Sequence, residues 1–375
     1  MKLITNHYVA EQARPKLPVE KIFLYQPSQT WTYSHHASIT WFQGSYYAIW
    51  SNGRIHEDYP GQRILLSTSP DFAHWTEPHS LVGPLQGKQS ELVLTAAGFH
   101  QYHNQLVAYY GQYEYAPAAF TGEQIRLAQH HQDTSLWALT TQDGKNWSAP
   151  IEMGAPIVPN HGPQPIQSGR LVISGNISFP YSDDPTGLSG WKMTGIYPSS
   201  MADGIFDDSQ SFWAVQERMG WPAGLCEGSF FQTDDGILHM LLRTTGPGFT
   251  GWLWQSESAD NGTTWSVPVQ SAFSDNNTKF HFGRLPDGRF YYVGCPDPLP
   301  RGARLPLVLS LSNDGVSFDQ HYILADEPYQ MQREGQHKGG TYGYPHTMIH
   351  DGHLHVIFSL RKEAVAVLRV PINAF

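Results

Sequence analysis

Apolar and polar residues alternate along most of this chain in short runs broken by tight turns, the period of a half-buried β-strand. Six segments share one layout: HASITWFQGSYYAIWS, GFHQYHNQLVAYYG, QPIQSGRLVISG, GSFFQTDDGILHMLLR, HFGRLPDGRFYYVG and HTMIHDGHLHVIFS. Each reads as two antiparallel strands around a hairpin turn. The turns fall at Gly44, Asn104, Gly169, Gly236, Gly288 and Gly352, 52 to 67 residues apart. That interval suits one four-stranded β-propeller blade with its loops. The pattern predicts an all-β chain forming a single β-propeller domain over residues 1–375, with 1–20 as an N-terminal extension. The count gives six repeats; a seventh is left open between about Pro180 and Trp221, or split between the termini. KIFLYQ near the start is expected to pair with the last strand, AVAVLRVPI, closing the ring without a free edge.

A second repeat follows several hairpins. SESADNGTTWSVP carries a full Asp-box with Ser258, Asp260, Gly262, Thr264 and Trp265. Weaker copies contain Asp71 and Trp75, then Asp143, Gly144 and Trp147, then Asp314, Gly315 and Phe318. In such a turn the Asp caps backbone N–H groups, Gly takes a positive φ, and the aromatic packs beneath. Four copies at blade-like spacing strengthen the propeller reading and say nothing about catalysis.

Composition narrows the class. Charged residues make up 15% of the chain and aromatics 13%, the reverse of a disordered segment. The formal charge is -10 with no basic run, which excludes a nucleic-acid groove. No apolar stretch is long enough to span a bilayer. The first residues, MKLITNHYVAEQARPKLPVEK, lack an apolar signal core, so a native Met1 would make the protein cytoplasmic, without a membrane partner. Two cysteines, Cys226 and Cys295, are too few for a disulfide framework.

Chemistry is expected where inner hairpins deliver polar side chains to a central funnel. The first hairpin is flanked by His35 and His36 on entry, then Asn52, His56, Glu57 and Asp58 on exit. The second runs to Tyr110, with Arg126 in the following loop. The third brings Asn160, His161, Gln164 and Arg170, and the fourth Glu227 and Arg243. The fifth brings Asn277, Lys279, His281 and Arg284, and the sixth Lys338, Tyr342, Tyr344 and His346. No H-E-x-x-H or C-x-x-C spacing marks a metal site among the 19 histidines. A calcium or other divalent ion held by carbonyls in the central channel would leave no trace, so the metal stays unknown.

The runs YSHHASITWFQGSYYAIWSNGRIHEDYPGQR, PNHGPQPIQSGRLVISGNISFPYSDDPTGLSGWK, TKFHFGRLPDGRFYYVG and GYPHTMIHDGHLHVIFSLRKEAV resemble the L-rhamnose-α-1,4-D-glucuronate lyases. Relatives of that family carry sialidase-like or Asp-box repeat labels, and its site is similar to that of propeller ulvan lyases. The resemblance covers residue 30 to the C-terminus and implies seven blades. It also implies β-elimination on an acidic oligosaccharide bearing terminal rhamnose on glucuronate, with no cofactor required. In the lyase pattern two histidines twenty residues apart precede a Tyr and, sixteen further on, an Arg; His36 and His56, then Tyr110 and Arg126, match those spacings. Tyr113 is the alternative to Tyr110. Arg126 would neutralise the uronate carboxylate, and His36 and Tyr110 would be base and acid in an order left open. His56 would orient or protonate, and Arg170 would be a second carboxylate contact. His35, Asn52, Glu57, His161, Arg243, Lys279, His281, Tyr342 and His346 complete the expected substrate contacts.

The main rival is a sialidase-like exo-glycosidase, which binds a carboxylate through an Arg cluster and needs a Tyr nucleophile paired with Glu, plus an Asp acid. Arg170, Arg243, Arg284 and Glu227 are available to it. A non-catalytic sugar-binding propeller would present aromatic platforms without convergent titratable groups.

Overall fold

The computed structural model describes residues 1–121, 124–125, 131–197, 220 and 224–375. Its architecture is all-β, with no α-helix among the described residues. Each predicted hairpin forms the first two strands of its own antiparallel sheet. The sheets begin at strands Tyr33–Phe42, Val93–Tyr102, Gln164–Pro165, Gly224–Gln232, His281–Arg284 and Tyr342–His350. Five of these sheets have four strands and the third has three, and a separate two-stranded ladder pairs Phe120–Thr121 with Gln124–Ile125, so six blade-like sheets are seen among the described residues. The stretch where a seventh repeat was sought falls partly outside those residues.

The ring closes as expected. Glu20–Tyr25 adds to Ala364–Pro371 as the outer strand of the last sheet, with Ile22 opposite Val367. The preceding residues cross the outside of the fourth and fifth sheets. Ile4 is buried among Phe231, Phe273 and Phe318, and Thr5 bridges Ala272 and Ser317. No helix of the described residues is long and apolar enough to cross a membrane. Cys226 and Cys295 are both free thiols.

All four Asp-box turns form between the third and fourth strands of their sheets. Asp143 accepts from Lys145 N–H at 2.9 Å and Asn146 N–H at 2.8 Å, and Asp314 accepts from Val316 and Ser317 at 2.8 and 2.9 Å. In the degraded first copy Phe72 takes the glycine's place at φ 70°.

Apolar clusters lie between neighbouring sheets, and first strands bond directly to the first or second strand of the preceding sheet. Ala96 N–H donates to Ser51 Oγ at 2.9 Å and Phe282 N–H to Ser229 Oγ at 3.0 Å. This packing leaves the polar ends of the first strands facing a shared channel.

Candidate active site

Three of the first strands break register where they reach the channel. The pairing shifts between His35 and Ser38, between Leu225 and Gly228, and between Gly343 and His346. A β-bulge re-aims the extra residue's side chain. The bulges hold His36 and Ala37, Cys226 and Glu227, and Tyr344 and Pro345, and of these His36, Cys226, Glu227 and Tyr344 line one cavity of about 660 Å³. Asp58, Arg243, Asn277, Arg304 and Lys362 also line it. Backbone strain concentrates here. Of fifteen non-glycine residues with positive φ among the described residues, seven line this cavity: His36, Asp58, Asn277, Arg304, His337, Tyr344 and Lys362. Such conformations cost about 1–3 kcal/mol each and persist where the surroundings impose them, so their clustering marks a functional site.

At the centre is a buried triad from three elements. Tyr344 donates its hydroxyl to Glu227 Oε1. Arg243 holds Glu227 Oε2 through Nε at 2.5 Å and reaches the Tyr344 hydroxyl through Nη2 at 3.0 Å. A further bond runs from Arg243 Nη1 to Asn277 Oδ1. Burial works to raise the Glu227 pKa, but the Arg243 guanidinium and hydrogen bonds from Cys226 and Tyr344 overcome it and hold the carboxyl down at about 2. Burial pushes the Tyr344 phenol well above its ordinary value, against the pull of Arg243. The phenol is therefore neutral and its proton is already directed at a carboxylate.

Arg304 presents a second guanidinium. Its Nη2 donates to Asn277 O at 2.9 Å, while Nε and Nη1 are buried without a hydrogen-bond partner. A buried charged donor left unpaired is costly, and an anion satisfies it. On the wall formed by the first sheet, burial together with the neighbouring Glu57 and Glu227 carboxylates pushes Asp58 up to about 7, against Lys362 and a bond from Gln62. Glu57 itself is engaged by Lys362 Nζ at 2.5 Å. His36 is kept neutral by burial first and then by Lys279, with Glu227 opposing. It contacts Ser51 Oγ through Nδ1 at 3.3 Å, and its ring lies 5.3 Å from that of Tyr344. The cavity thus joins a phenol–carboxylate pair, two guanidinium groups, a protonatable carboxyl and a neutral imidazole.

The expected residues divide. His36, Glu57 and Arg243 line the cavity. His35 sits behind them, its Nδ1 2.7 Å from Ser359 Oγ and its ring 3.9 Å from that of Tyr344. That contact needs glycine at 343, where a Cβ would come within 2.9 Å of the His35 ring. Tyr110 is not at the cavity. Strand alternation turns its ring into the apolar core with Ile49, Leu66 and Leu94, and the hydroxyl is unpaired. Tyr113, the alternative, does line it. His56 instead accepts from Gln336 N–H at 2.9 Å in the adjoining loop. Arg126 lies outside the described residues.

Arg170 is committed elsewhere. It pairs with Asp183 at 2.7 Å and binds the Asp-box turn through Asn261 O at 3.0 Å. Arg284, near the fifth hairpin turn, pairs with Asp234. Asn52 ties Tyr33 O, at 2.9 Å, to the Arg63 side chain. Tyr342 packs in the core of the last two sheets and donates to Glu327 O at 2.9 Å. Lys279 is buried, donates to Asn160 O and lies 4.9 Å from the Tyr344 ring centre. His161, His281 and His346 are not in the cavity lining; they form a separate cluster deeper in the channel, with one ring nitrogen of each within 4.8 Å of the others.

Arg304 and Lys362 were missed. Both stand in irregular turns at positive φ, away from any hairpin entrance, so the repeat pattern gives no signal for them. Asp58 and Tyr344 stood in the expected segments without an assigned role, since only the folded chain brings each to the cavity.

Residues 44–356 match the family model described as a BNR repeat-like domain. No curated protein matches the chain. Among solved structures it is similar to a sialidase at 19% identity and a TM-score of 0.65, covering 98% of this chain and 35% of that one. The Trypanosoma rangeli sialidase in complex with the inhibitor DANA aligns at 13% identity and TM-score 0.66, over 94% of this chain and 60% of that one. The intramolecular trans-sialidase from Ruminococcus gnavus, in complex with oseltamivir carboxylate, aligns at 12% identity and TM-score 0.60, over 94% and 97%. The chain therefore spans about a third of the first of these and three-fifths of the second. At such identities the likeness establishes the fold.

Proposed function

The chain belongs to the BNR repeat-like domain family, and on that footing we propose that it is a sialidase-like exo-glycoside hydrolase acting on a terminal sugar that carries a carboxylate. The observation that carries this reading is the Tyr344–Glu227 pair, a phenol bonded to a buried carboxylate in the wall of a cavity that also holds two arginines. Sialidases use a Tyr nucleophile where most glycosidases use a carboxylate.

The substrate carboxylate docks on Arg304 and Arg243. Drawing Arg243 toward a second anion loosens its hold on Glu227, which makes that carboxylate a better base at the moment it is needed. Glu227 takes the phenolic proton as the Tyr344 oxygen attacks the anomeric carbon. The bond to the leaving group breaks, and Asp58 supplies a proton to the departing oxygen. Water then attacks the glycosyl–tyrosine bond, giving its proton to Asp58, while the phenolate recovers its proton from Glu227. An acid with a pKa near 7 is suited to both Asp58 roles.

The β-elimination reading retains one specific observation: a neutral imidazole, His36, borders the same cavity beside Tyr344. In that reading His36 removes the proton next to a uronate carboxylate bound by the two arginines, and Tyr344 protonates the leaving rhamnose. One incubation separates the two. The protein is supplied with aryl sialosides, aryl uronides and a rhamnosyl-glucuronate oligosaccharide, and products are followed by ultraviolet absorbance and mass. Hydrolysis adds one water across the bond, releasing the phenol of an aryl glycoside and giving no new chromophore from the oligosaccharide. Elimination yields an unsaturated uronate that absorbs, and its appearance would displace the hydrolase reading.

A further inference from the structure

The first strands and entrance loops of three different sheets bring His161, His281 and His346 together beneath the cavity. Ring centroids are 4.7 Å apart for His161–His281, 4.7 Å for His281–His346 and 5.8 Å for His161–His346. We infer that these three histidines form a binding site for a borderline divalent metal ion, zinc being the best match, which ties the third, fifth and sixth sheets together at the axis.

Each ring is oriented by a bond on one side. His161 Nε2 is 3.0 Å from Phe280 O. His281 Nδ1 contacts Thr347 Oγ1 at 2.5 Å, and that hydroxyl is held at 2.8 Å by Tyr291 OH. His346 Nδ1 accepts from Ile39 N–H at 3.4 Å. The His161 and His281 contacts to Phe280 O and Thr347 Oγ1 are of the kind that fix tautomer and ring orientation around protein-bound metals. Thr347 N–H also points at His281 Nδ1, at 3.3 Å. A neutral ring whose Nδ1 accepts carries its proton on Nε2, so metal entry moves that proton to Nδ1 at His346 and gives up the long Ile39 bond. One nitrogen of each imidazole is then available to a shared ligand. On His281 that nitrogen now faces Gln164 Nε2 at 3.0 Å, and metal entry displaces this amide or turns its oxygen toward the ion.

The chemistry of the donors selects the ion. Three imidazoles are a recurrent zinc set, completed by water or a fourth protein group. Calcium takes oxygen ligands and gains little from nitrogen, so of the ions left open for the channel calcium does not suit this trio. His161 and His281 are buried and His346 is half-buried, and metal binds the neutral form of each ring. The present nitrogen spread of up to 4.8 Å contracts by side-chain rotation on binding, because zinc–nitrogen bonds are about 2.0–2.1 Å long.

This site is independent of the reaction proposed above, and its test does not read activity. The full chain is stripped with a chelator, dialysed, and titrated with zinc or cobalt(II). The expected result is one equivalent of zinc by elemental analysis and a cobalt spectrum with the strong visible bands of a four-coordinate site. Zinc at about a hundred times its dissociation constant should raise Tm by about 3 °C for a chain of this size, and calcium should leave it unmoved. His281→Gln and His346→Gln should each abolish the stoichiometric uptake. Less than a tenth of an equivalent in the wild type, an octahedral cobalt spectrum, or unchanged uptake in both variants would overturn the proposal. The stoichiometry and the spectrum stand on the wild type alone, whether or not the variants fold.

Discussion

Replacing Glu227 by Gln tests the triad through its energy as well as its chemistry. The substitution keeps the shape and an acceptor for Tyr344 but leaves Arg243 without the carboxylate it now holds at 2.5 Å. Removing one partner of a buried ion pair costs about 3–5 kcal/mol. The titration gives an independent route to the magnitude. Glu227 falls from an ordinary 4.5 to about 2 in the folded protein, and at about 1.4 kcal/mol per unit that is about 3 kcal/mol. The sign follows from the depressed folded value. This contribution is complete above the unfolded pKa near 4.5 and is lost as pH falls toward about 2. With an unfolding entropy of about 2.1 cal/mol/K per residue, 3 kcal/mol lowers Tm by about 4 °C at neutral pH. Calorimetry of wild type and Glu227→Gln from pH 7 down to 3 should show this gap narrowing as the wild type gives up its carboxylate. Turnover should fall by about 10²–10⁴ through loss of the base. A variant that matches the wild type in Tm across the range, or keeps turnover within threefold, would refute the reasoning.

Other substitutions separate the roles of the cavity residues. Arg304→Met should raise KM for an acidic substrate by about tenfold or more while leaving Tm equal or higher, because it removes a buried cation with two unpaired donors; calorimetry and kinetics on one preparation decide it. As the general acid with a pKa near 7, Asp58 should make kcat/KM fall as pH rises through about 7, and Asp58→Asn should erase that limb while sparing substrates with strongly activated leaving groups. Asp260→Ala, which uncaps the Asp-box amide of Thr264 held at 2.8 Å, should cost about 1 kcal/mol by denaturant unfolding and leave kinetics unchanged. His36→Gln should leave hydrolysis within about tenfold, whereas elimination would lose its base and drop by about 10²-fold or more.

The ring of hairpins was legible because its signals are local. A strand alternates with period two and a hairpin turn needs special backbone conformations, so Gly44, Gly236 and Gly352 announce their sheets in any context. The Asp-boxes are local for the same reason, and even Phe72 holds a glycine's conformation in the weakest copy. The site was only half legible, because it is assembled by bulges and turns. A bulge turns Tyr344 and His36 toward the channel where strict alternation would misplace them. That alternation is what carries Tyr110 into the core. His56 stands at the same spacing from His36 as the resemblance suggests, yet its loop aims it at the Gln336 amide. Charges at hairpin ends were overvalued, since Arg170 and Arg284 answer to Asp183 and Asp234. Arg304, from a loop with no repeat, took the place expected of them.

The most direct measurement is covalent trapping. Incubating the protein with a difluorinated acidic glycosyl fluoride slows breakdown of a glycosyl–enzyme bond, and digestion followed by mass spectrometry locates the adduct. Hydrolysis through the buried phenol requires one sugar per chain on the peptide containing Tyr344, and none when Glu227 is replaced by Gln. An unlabelled Tyr344 in protein that is turning over substrate, or an adduct on any other side chain, would contradict the account.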